Sequence, residues 1–572
     1  PSVAVPVSLA GAFGVMYWMG YSLNNLSLMA LTIATGFVVD DAIVVLENVT
    51  RHLERGKTPW QAALAGSREI GFTVVSISLS LIAVFIPILL MGGVLGRLFQ
   101  EFAIVLSAAI LISMLVSLTT TPMMCAALLQ AAPPRRARRR AFWGRLYRRS
   151  LAWSLRHQPV LWLILAATVA LNISLYQTIP KGFFPQQDTG RIFGSIRADQ
   201  SSSFQAMQQR LDQFMAIVRA DPAVEHVTGF TGGGQRNAAQ MFVSLKPRSE
   251  RDVTADQVVA RLRGKLSRES GARLFLVPGQ DIRIGGRTSS SQYEYSVKAD
   301  ELQDLREWEP KIRRAMTRLS ELEDINTDYE DRGLQTSLVV DRDAAARLGL
   351  TMRDIDVTLQ NAYGQRQVGV IYNPLNQYRV VLELAPQHLN DDSSLRKLQF
   401  INNQGQAVPL SAFARLELTN TALSVSHEGG VPSDTFSFNL APGVSLSQAT
   451  EAVRQAMAEL KMPVSVRGSF AGTANAFQKS LDSQPLLILA ALLTLYLVLG
   501  VLYESLVHPL TILSTLPSAG VGALLALMLT GTEFSIIALI GVILLIGIVK
   551  KNAILMIDFA LVRQRAGMTA AQ

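Results

Sequence analysis

The stretch "GFVVDDAIVVLEN", Gly36 to Asn48, decides how this sequence is read. Apolar residues flank two adjacent acids, Asp40 and Asp41, in a run that otherwise reads as membrane-buried helix. A carboxylate at the centre of a bilayer costs several kcal/mol, about 3 on insertion scales. Two side by side need a partner or a task.

The composition around that stretch is mixed. The chain has 572 residues, of which 49% are hydrophobic and 17% charged, and its mean hydropathy is +0.26. Such a chain combines several membrane spans with a water-exposed part. The formal net charge is +9. Much of the excess sits in one connection, at Arg135, Arg136, Arg138, Arg139, Arg140, Arg145, Arg148, Arg149 and Arg156. That pattern marks a cytoplasmic loop rather than a nucleic-acid surface. The lone Cys125 excludes an internal disulfide framework and a CxxC metal site. The chain opens at Pro1 inside an apolar run with no signal peptide, which points to a piece of a longer protein.

Apolar runs predict about eight spans, at 3–20, 25–49, 71–92, 102–130, 158–178, 485–503, 509–530 and 534–561. The connections 50–70 and 131–157 carry the basic residues and are expected in the cytoplasm. Residues 179–484 then fall on the outer side, and Arg563 and Arg565 return to the cytoplasm. Within the basic connection, "FWGRLYRRSLAWSLRH" mixes aromatic residues with arginine. It reads as a helix lying in the interface plane, against the plainer alternative of a basic loop.

The outer segment has its own rhythm. "RIFGSIRAD" alternates as a strand, and "SSSFQAMQQRLDQFMAIVRA" has helical spacing behind serine caps. The strands "VEHVTGF" and "AQMFVSLKP", the helix "TADQVVARLRGKL" and the strand "ARLFLVP" complete a β-α-β-β-α-β unit of ferredoxin-like type. A second unit starts at "QYEYSVKAD" and resumes at "DTFSFNLAP" after an insertion over 335–425.

An internal repeat places the acids in context. At an offset of 511, Pro6 meets Pro517, Gly11 meets Gly522, Gly20 meets Gly531, Gly36 meets Gly547 and Ala42 meets Ala553, without a gap. Apolar composition alone does not fix glycine and proline positions, so chance similarity is a poor account. The two copies run in the same direction, which points to half-bundles related by an axis along the membrane normal. The repeat sets Asp40 opposite Lys551, Asp41 opposite Asn552 and Glu47 opposite Asp558.

Adjacent helical residues point about 100° apart, so Asp40 and Asp41 are expected to face different neighbours. Burial and mutual repulsion favour the protonated acid, and a lysine favours the carboxylate. Opposed influences of this kind suit a proton-coupled switch, with Asp40, Asp41 and Lys551 as its members. A static ion pair explains one acid and one lysine and leaves the second acid costly. Lys550 is a second relay member or a residue that points elsewhere, and Asn552 is a supporting position.

These residues resemble a known family. "GFVVDDAIVVLENVTRH" and "LIGIVKKNAILMIDFA" are similar to the fourth and tenth transmembrane helices of resistance–nodulation–division (RND) efflux pumps. "IPKGFFPQQDTG" resembles that family's passage from the seventh helix into the outer domain, and "LYESLVHPLTILSTLP" its turn from the eighth to the ninth. "MFVSLKPRSERD", "YNPLNQYRVVLE" and the "KKNAIL" form are closest to the MdtB/MdtC-type multidrug subunits. The resemblance covers the whole chain.

It implies an α-helical membrane bundle of about eight of twelve helices with a parallel pseudo-two-fold repeat, plus a periplasmic α+β part of ferredoxin-like subdomains. Residues 1–130 would be helices three to six, 131–157 the basic linker and interfacial helix, and 158–178 helix seven. A first pore subdomain would occupy 179–284, and a second 285–334 with 426–483. The insertion 335–425 would be a docking subdomain, 484–562 helices eight to ten, and 563–572 a cytoplasmic tail. The family's first two and last two helices, and with them other relay residues, lie outside this chain.

By the same resemblance Asp40, Asp41 and Lys551 carry protons. No cofactor is implied beyond the proton-motive force. The implied partners are a periplasmic adaptor (membrane fusion protein), an outer-membrane channel of TolC type, the lipid bilayer, and further subunits in a homotrimer or a heterotrimer with a paralogous RND subunit. The implied place is the bacterial inner membrane. "GFTGGGQ" resembles the loop between two drug pockets. Phe230, with Gly232 and Gly233, would then line the substrate path, and Phe275 aligns more loosely with a pocket aromatic. The alternative for Phe230 is a packing residue in a turn. Two rival roles are a proton-inactive structural subunit and a metal-exporting pump. The scattered His52, His157, His226, His388, His427 and His508 do not favour the latter. An enzyme is disfavoured, since no Walker A, GxSxG or HExxH pattern occurs.

Overall fold

The computed structural model describes residues 2–129, 141–232, 234–282, 284, 290–389 and 392–568. The basic block at 135–140 therefore lies outside the described residues. The chain divides into two compact units. One comprises Pro1–Gln186, Leu440–Arg454 and Gly472–Gln572, and the other Gln187–Asn439 and Gln455–Ala471.

The first unit is helical. Its opening helices are α1 (Ala4–Met19), α2 (Asn25–Glu54), α3 (Pro59–Ala83), α4 (Ile86–Leu89), α5 (Gly93–Leu128), α6 (Ala141–Arg156) and α7 (Gln158–Thr178). Seven helical stretches among the described residues are long and apolar enough to cross a membrane. The expected span at 3–20 is a shorter apolar helix, α1, which ends where Gly20 turns left-handed at φ 72°.

Several helices outrun the apolar runs that announce them. The expected loop 50–70 is mostly helix, because α2 continues to Glu54 and α3 already starts at Pro59 behind the Thr58 cap. Hydropathy marks only the apolar part of such a helix, while Arg51 and Glu69 pair across its polar end. The expected span 71–92 breaks after Ala83 into α4. There Pro87 has no N–H to give to the carbonyl four residues back. A helix, α6, stands where the sequence predicts one at 142–157.

The second unit holds two α/β sandwiches and an insertion, save that Leu440–Arg454 falls in the first unit. β1 (Arg191–Ala198), α8 (Phe204–Arg219), β2 (Val224–Thr231), β3 (Ala238–Leu245), α9 (Ala255–Leu266) and β4 (Ala272–Pro278) follow in order. Their sheet runs β2-β3-β1-β4, with antiparallel neighbours, which is the order of a split βαβ fold. Ile192, Ile196, Met241 and Val243 on one sheet face pack against Met207, Leu211 and Phe214 of α8 and Val258 and Leu262 of α9.

β5 (Tyr293–Ala299), α10 (Leu302–Thr317) and β6 (Leu322–Thr327) begin the next sandwich. The insertion contributes β7 (Gly333–Val340), α11 (Arg342–Arg347), α12 (Met352–Tyr363), β8 (Arg366–Tyr372), β9 (Gln377–Leu382), α13 (Asp392–Arg396), β10 (Gln399–Ile401), β11 (Ala407–Pro409) and β12 (Ala414–Thr421). β7 pairs with β12 at its root. Phe400 and Phe413 meet edge to face at 5.1 Å in its own core with Ile355 and Leu410. Then β13 (His427–Glu428), β14 (Val431–Leu440), α14 (Leu446–Glu459) and β15 (Val466–Ala471) complete the second sheet, in the order β13-β14-β5-β15 with β6 joining at β14.

The chain ends in α15 (Gly472–Tyr503), α16 (Val507–Leu513), α17 (Leu516–Leu529) and α18 (Ile536–Arg565) of the helical unit. α15 starts well before the expected 485, because its early residues Ala474, Phe477, Ser480 and Gln484 are buried by protein. The repeat is visible in the backbone. α2 and α18 are each 30 residues long and start at the same register. Their caps, Asn24 and Ser535, are repeat mates, and each accepts from the amide three residues on, Ser27 or Ala538. Gly20 and Gly531, also mates, are both left-handed.

Candidate functional site

Because the caps match, Asp40 and Lys551 both lie sixteen positions past a helix cap. At about 1.5 Å per residue both sit some 24 Å along their helices. Lys551 Nζ stands 2.8 Å from Asp40 Oδ2 and donates to Asp41 Oδ1, also at 2.8 Å. The side chains of Lys551 and Asp41 are 7% and 8% exposed, whereas that of Asp40 is 51% exposed. The two acids thus do not face different neighbours. Their Cα–Cβ bonds diverge, but one ammonium carries three donors and reaches both carboxylates. With all three groups charged the cluster holds one net negative charge, and one bound proton brings it to neutrality.

The neighbouring lysine does something else. Lys550 is fully buried, and its Nζ donates to the backbone carbonyl of Ser80 in α3. Lys550 therefore ties α18 to α3 while Lys551 ties it to α2. Close packing permits this. A Cβ added at Gly547 would collide with Leu81 Cδ1. Asn552 is exposed and is not drawn into the cluster.

A second polar cluster at the far end of α2 was not anticipated. Glu69 of α3 accepts from Arg51 at 2.5 Å and lies 2.6 Å from His52 Nε2. Asn48 Nδ2 donates to the Gly66 carbonyl at 2.8 Å and reaches Glu69 at 3.4 Å. Asp41, Asn48 and His52 all lie on the buried stripe of α2. Glu47 is exposed, and its repeat mate Asp558 accepts from Tyr503 at 2.7 Å.

The predicted substrate residues lie on the first sandwich. The face of its sheet turned away from α8 and α9 carries Phe230 on β2, Phe242 on β3 and Phe193 on β1. Phe230 and Phe242 stack at 6.0 Å, and Phe193 meets Phe242 edge-on at 5.7 Å. Phe230 and Phe242 are 48% and 40% exposed. Phe275 on β4, opposite Ser195, is buried. Gly232 has φ 87°, a conformation that favours glycine, and sits against Phe204. Gly233 lies outside the described residues. Phe193 and Phe242 were missed because each reads as core in an alternating strand. The register, which puts Met241 and Val243 on the helix side, is the signal that separates them.

Helices long and apolar enough to span, an internal repeat and a buried lysine shared by two acids fit a membrane protein of RND type. The chain belongs to the AcrB/AcrD/AcrF family, whose model matches residues 1–572. It is 61% identical over 574 residues to the multidrug resistance protein MdtC of Yersinia enterocolitica, covering 99% of this chain and 56% of that protein. It is 59% identical to the protein of the same name from Cronobacter sakazakii and 58% to that from Escherichia coli, over 100% of this chain and 56% of each. The chain thus spans about half the length of these relatives.

Proposed function

We propose that this chain is the central part of an inner-membrane proton/drug antiporter subunit that exports amphipathic compounds. The observation that carries this reading is the single Lys551 ammonium held between Asp40 and Asp41 across two copies of a repeat. In this reading a proton reaches the open carboxylate, Asp40, and releases it from Lys551. The buried Asp41 then holds the ammonium alone, and α18 is free to shift against α2 while Lys550 keeps its hold on α3. The membrane potential contributes about 2.3 kcal/mol per charge per 100 mV, comparable to a conformational gap of a few kcal/mol.

The aromatic sheet face of Phe193, Phe230 and Phe242 is the apolar contact surface for substrate in this reading, with the periplasm on that side. The family likeness and the names of the relatives support multidrug export. The subunit would work with a periplasmic adaptor and an outer-membrane channel, in a homotrimer or with a paralogous subunit. A proton-inactive structural subunit is the main alternative, and the intact set of two acids and a lysine argues against it. The test is drug resistance in cells carrying the full-length protein and its partner subunit. Asp40→Asn or Lys551→Ala should remove resistance at unchanged protein level. Unchanged resistance would take this subunit out of the proton path and leave the structural role.

A further inference from the structure

Between Glu101 and Asp188 the sequence contains no acidic residue, yet nine arginines and no lysine lie between 135 and 156. Four of these arginines are on α6, at 145, 148, 149 and 156. At 100° per residue they fall within an arc of about 100° on one side of the helix. Leu146, Tyr147, Leu151 and Trp153 occupy the rest of the surface, each between 44% and 60% exposed. Arg148, Arg149 and Arg156 are themselves exposed, and among the described residues none of them forms an ion pair.

The helix is anchored beside the membrane part. It runs into α7 through His157, whose Nδ1 lies 2.9 Å from the Trp153 carbonyl and whose ring stacks on Trp153 at 4.9 Å. α7 is apolar enough to span, has no residue buried by protein, and packs along α17. An arginine arc with a leucine and aromatic underside, leading into a lipid-facing span, fits the boundary between headgroups and acyl chains. The local chain offers no counter-charge, so the counter-charge must come from outside it. The exclusive use of arginine selects among anions. Its planar fork binds phosphate oxygens in pairs, which a lysine ammonium cannot do.

We propose that the arginine arc of α6 is a binding site for the phosphodiester headgroups of acidic phospholipids, and that the leucine and aromatic side seats it in the same leaflet. The inference deepens the membrane reading above and does not depend on transport. Its test reads lipid retention rather than export, so loss of one does not imply loss of the other.

The experiment uses the full-length protein in nanodiscs of phosphatidylcholine with a minority of phosphatidylglycerol. Native mass spectrometry counts the lipids retained after mild delipidation. The wild type should hold phosphatidylglycerol well above its bulk share, less so at high salt. Free inorganic phosphate in the millimolar range should not displace it. Each arginine near an anionic surface is expected to contribute about fivefold. The triple variant Arg148→Gln, Arg149→Gln, Arg156→Gln should therefore lose at least about tenfold of that enrichment. The corresponding Arg→Lys variant, which keeps the charge and the fold, should retain part of it. Trp153→Ala should weaken retention of both lipids alike. Wild-type retention at the bulk ratio, or equal retention by the glutamine variant, overturns the proposal. Saturable binding of an acidic peptide in place of lipid also overturns it, and assigns the arc to a protein partner.

Discussion

α2 and α18 have the same length, matching caps and the same register, yet they carry opposite charge at the same depth. The repeat preserves the backbone and divides the chemistry. The α2 copy supplies two acids, and its glycine at the repeat position, Gly36, faces open space. The α18 copy supplies two lysines, and its glycine, Gly547, is pressed against Leu81. Both helices are held to α3, α2 through Asn48, Arg51 and His52 and α18 through Lys550 and Gly547, but one presents two acids and the other their counter-charge. A symmetric pair of helices could hold a static contact. Here α18 packs on α3 along one side and is joined to α2 by ions along another.

The largest expected effect comes from attacking that division directly. Asp41→Asn should lower drug resistance to near the empty-vector level, at least about tenfold in inhibitory concentration, because Asp40 is then the one carboxylate left beside Lys551, and its protonation would strand a buried ammonium. Exchanging the charges, Asp41→Lys with Lys551→Asp, should restore protein level and thermal stability without restoring export. If the exchanged pair exports drug normally, the orientation of the charges is irrelevant and the comparison loses its meaning.

The two glycines provide the next contrast. Gly547→Ala should destabilise the purified full-length protein by about 1–3 kcal/mol, as overpacking does. Gly36→Ala should change stability by no more than about 0.5 kcal/mol. Thermal unfolding in detergent separates them, and equal losses would mean that α18 does not pack tightly on α3 through Gly547. At the end of α2, Glu69→Gln should cost about 1 kcal/mol. That value is small because Glu69 is 43% exposed, and solvent screens its pairs with Arg51 and His52. A loss as large as that of Gly547→Ala would place this cluster on a par with the α18 contact.

The smallest effect concerns a buried acid that, among the described residues, forms no ion pair. Asp434 on β14 is buried, accepts from Thr327 at 2.6 Å, and has Asp328 and Glu309 nearby. Burial first, then the hydrogen bond with Asp328 and the charges of Asp328 and Glu309, push its carboxyl well above the usual range. A raised folded pKa means that the folded state holds the proton more tightly. Stability from this group is therefore present below the unfolded value, about 3.9, and falls as pH rises through the folded one. Asp434→Asn should raise the melting temperature by a few degrees at neutral pH and leave it unchanged near pH 4. A variant less stable at neutral pH would show that Asp434 is ionised and supported there.

Much of this was legible in the sequence, for reasons that particular residues make plain. The ungapped glycine and proline matches at 511 fixed the register, and the register alone set Lys551 level with Asp40. The convergence of both acids on one lysine was not legible. Helical angles give the direction of Cβ and not the reach of a four-carbon side chain. The Lys550 contact was hidden because its acceptor is a backbone carbonyl, which leaves no trace in residue type. The Asn48, Arg51, His52 and Glu69 cluster was hidden because its connection read as a loop. In the second unit the strand alternation was clear, but only pairing register distinguishes Phe242, on the open face, from Met241 beside it.

The central claim is that the Asp40, Asp41 and Lys551 cluster exchanges a proton in step with substrate movement. It is tested most directly by proton flux across proteoliposomes holding the full-length protein and its partner subunit, on addition of drug under an imposed pH gradient. The account predicts drug-dependent flux in the wild type and none in Asp41→Asn or Lys551→Met, with drug binding retained in both. Undiminished flux in either variant would contradict it.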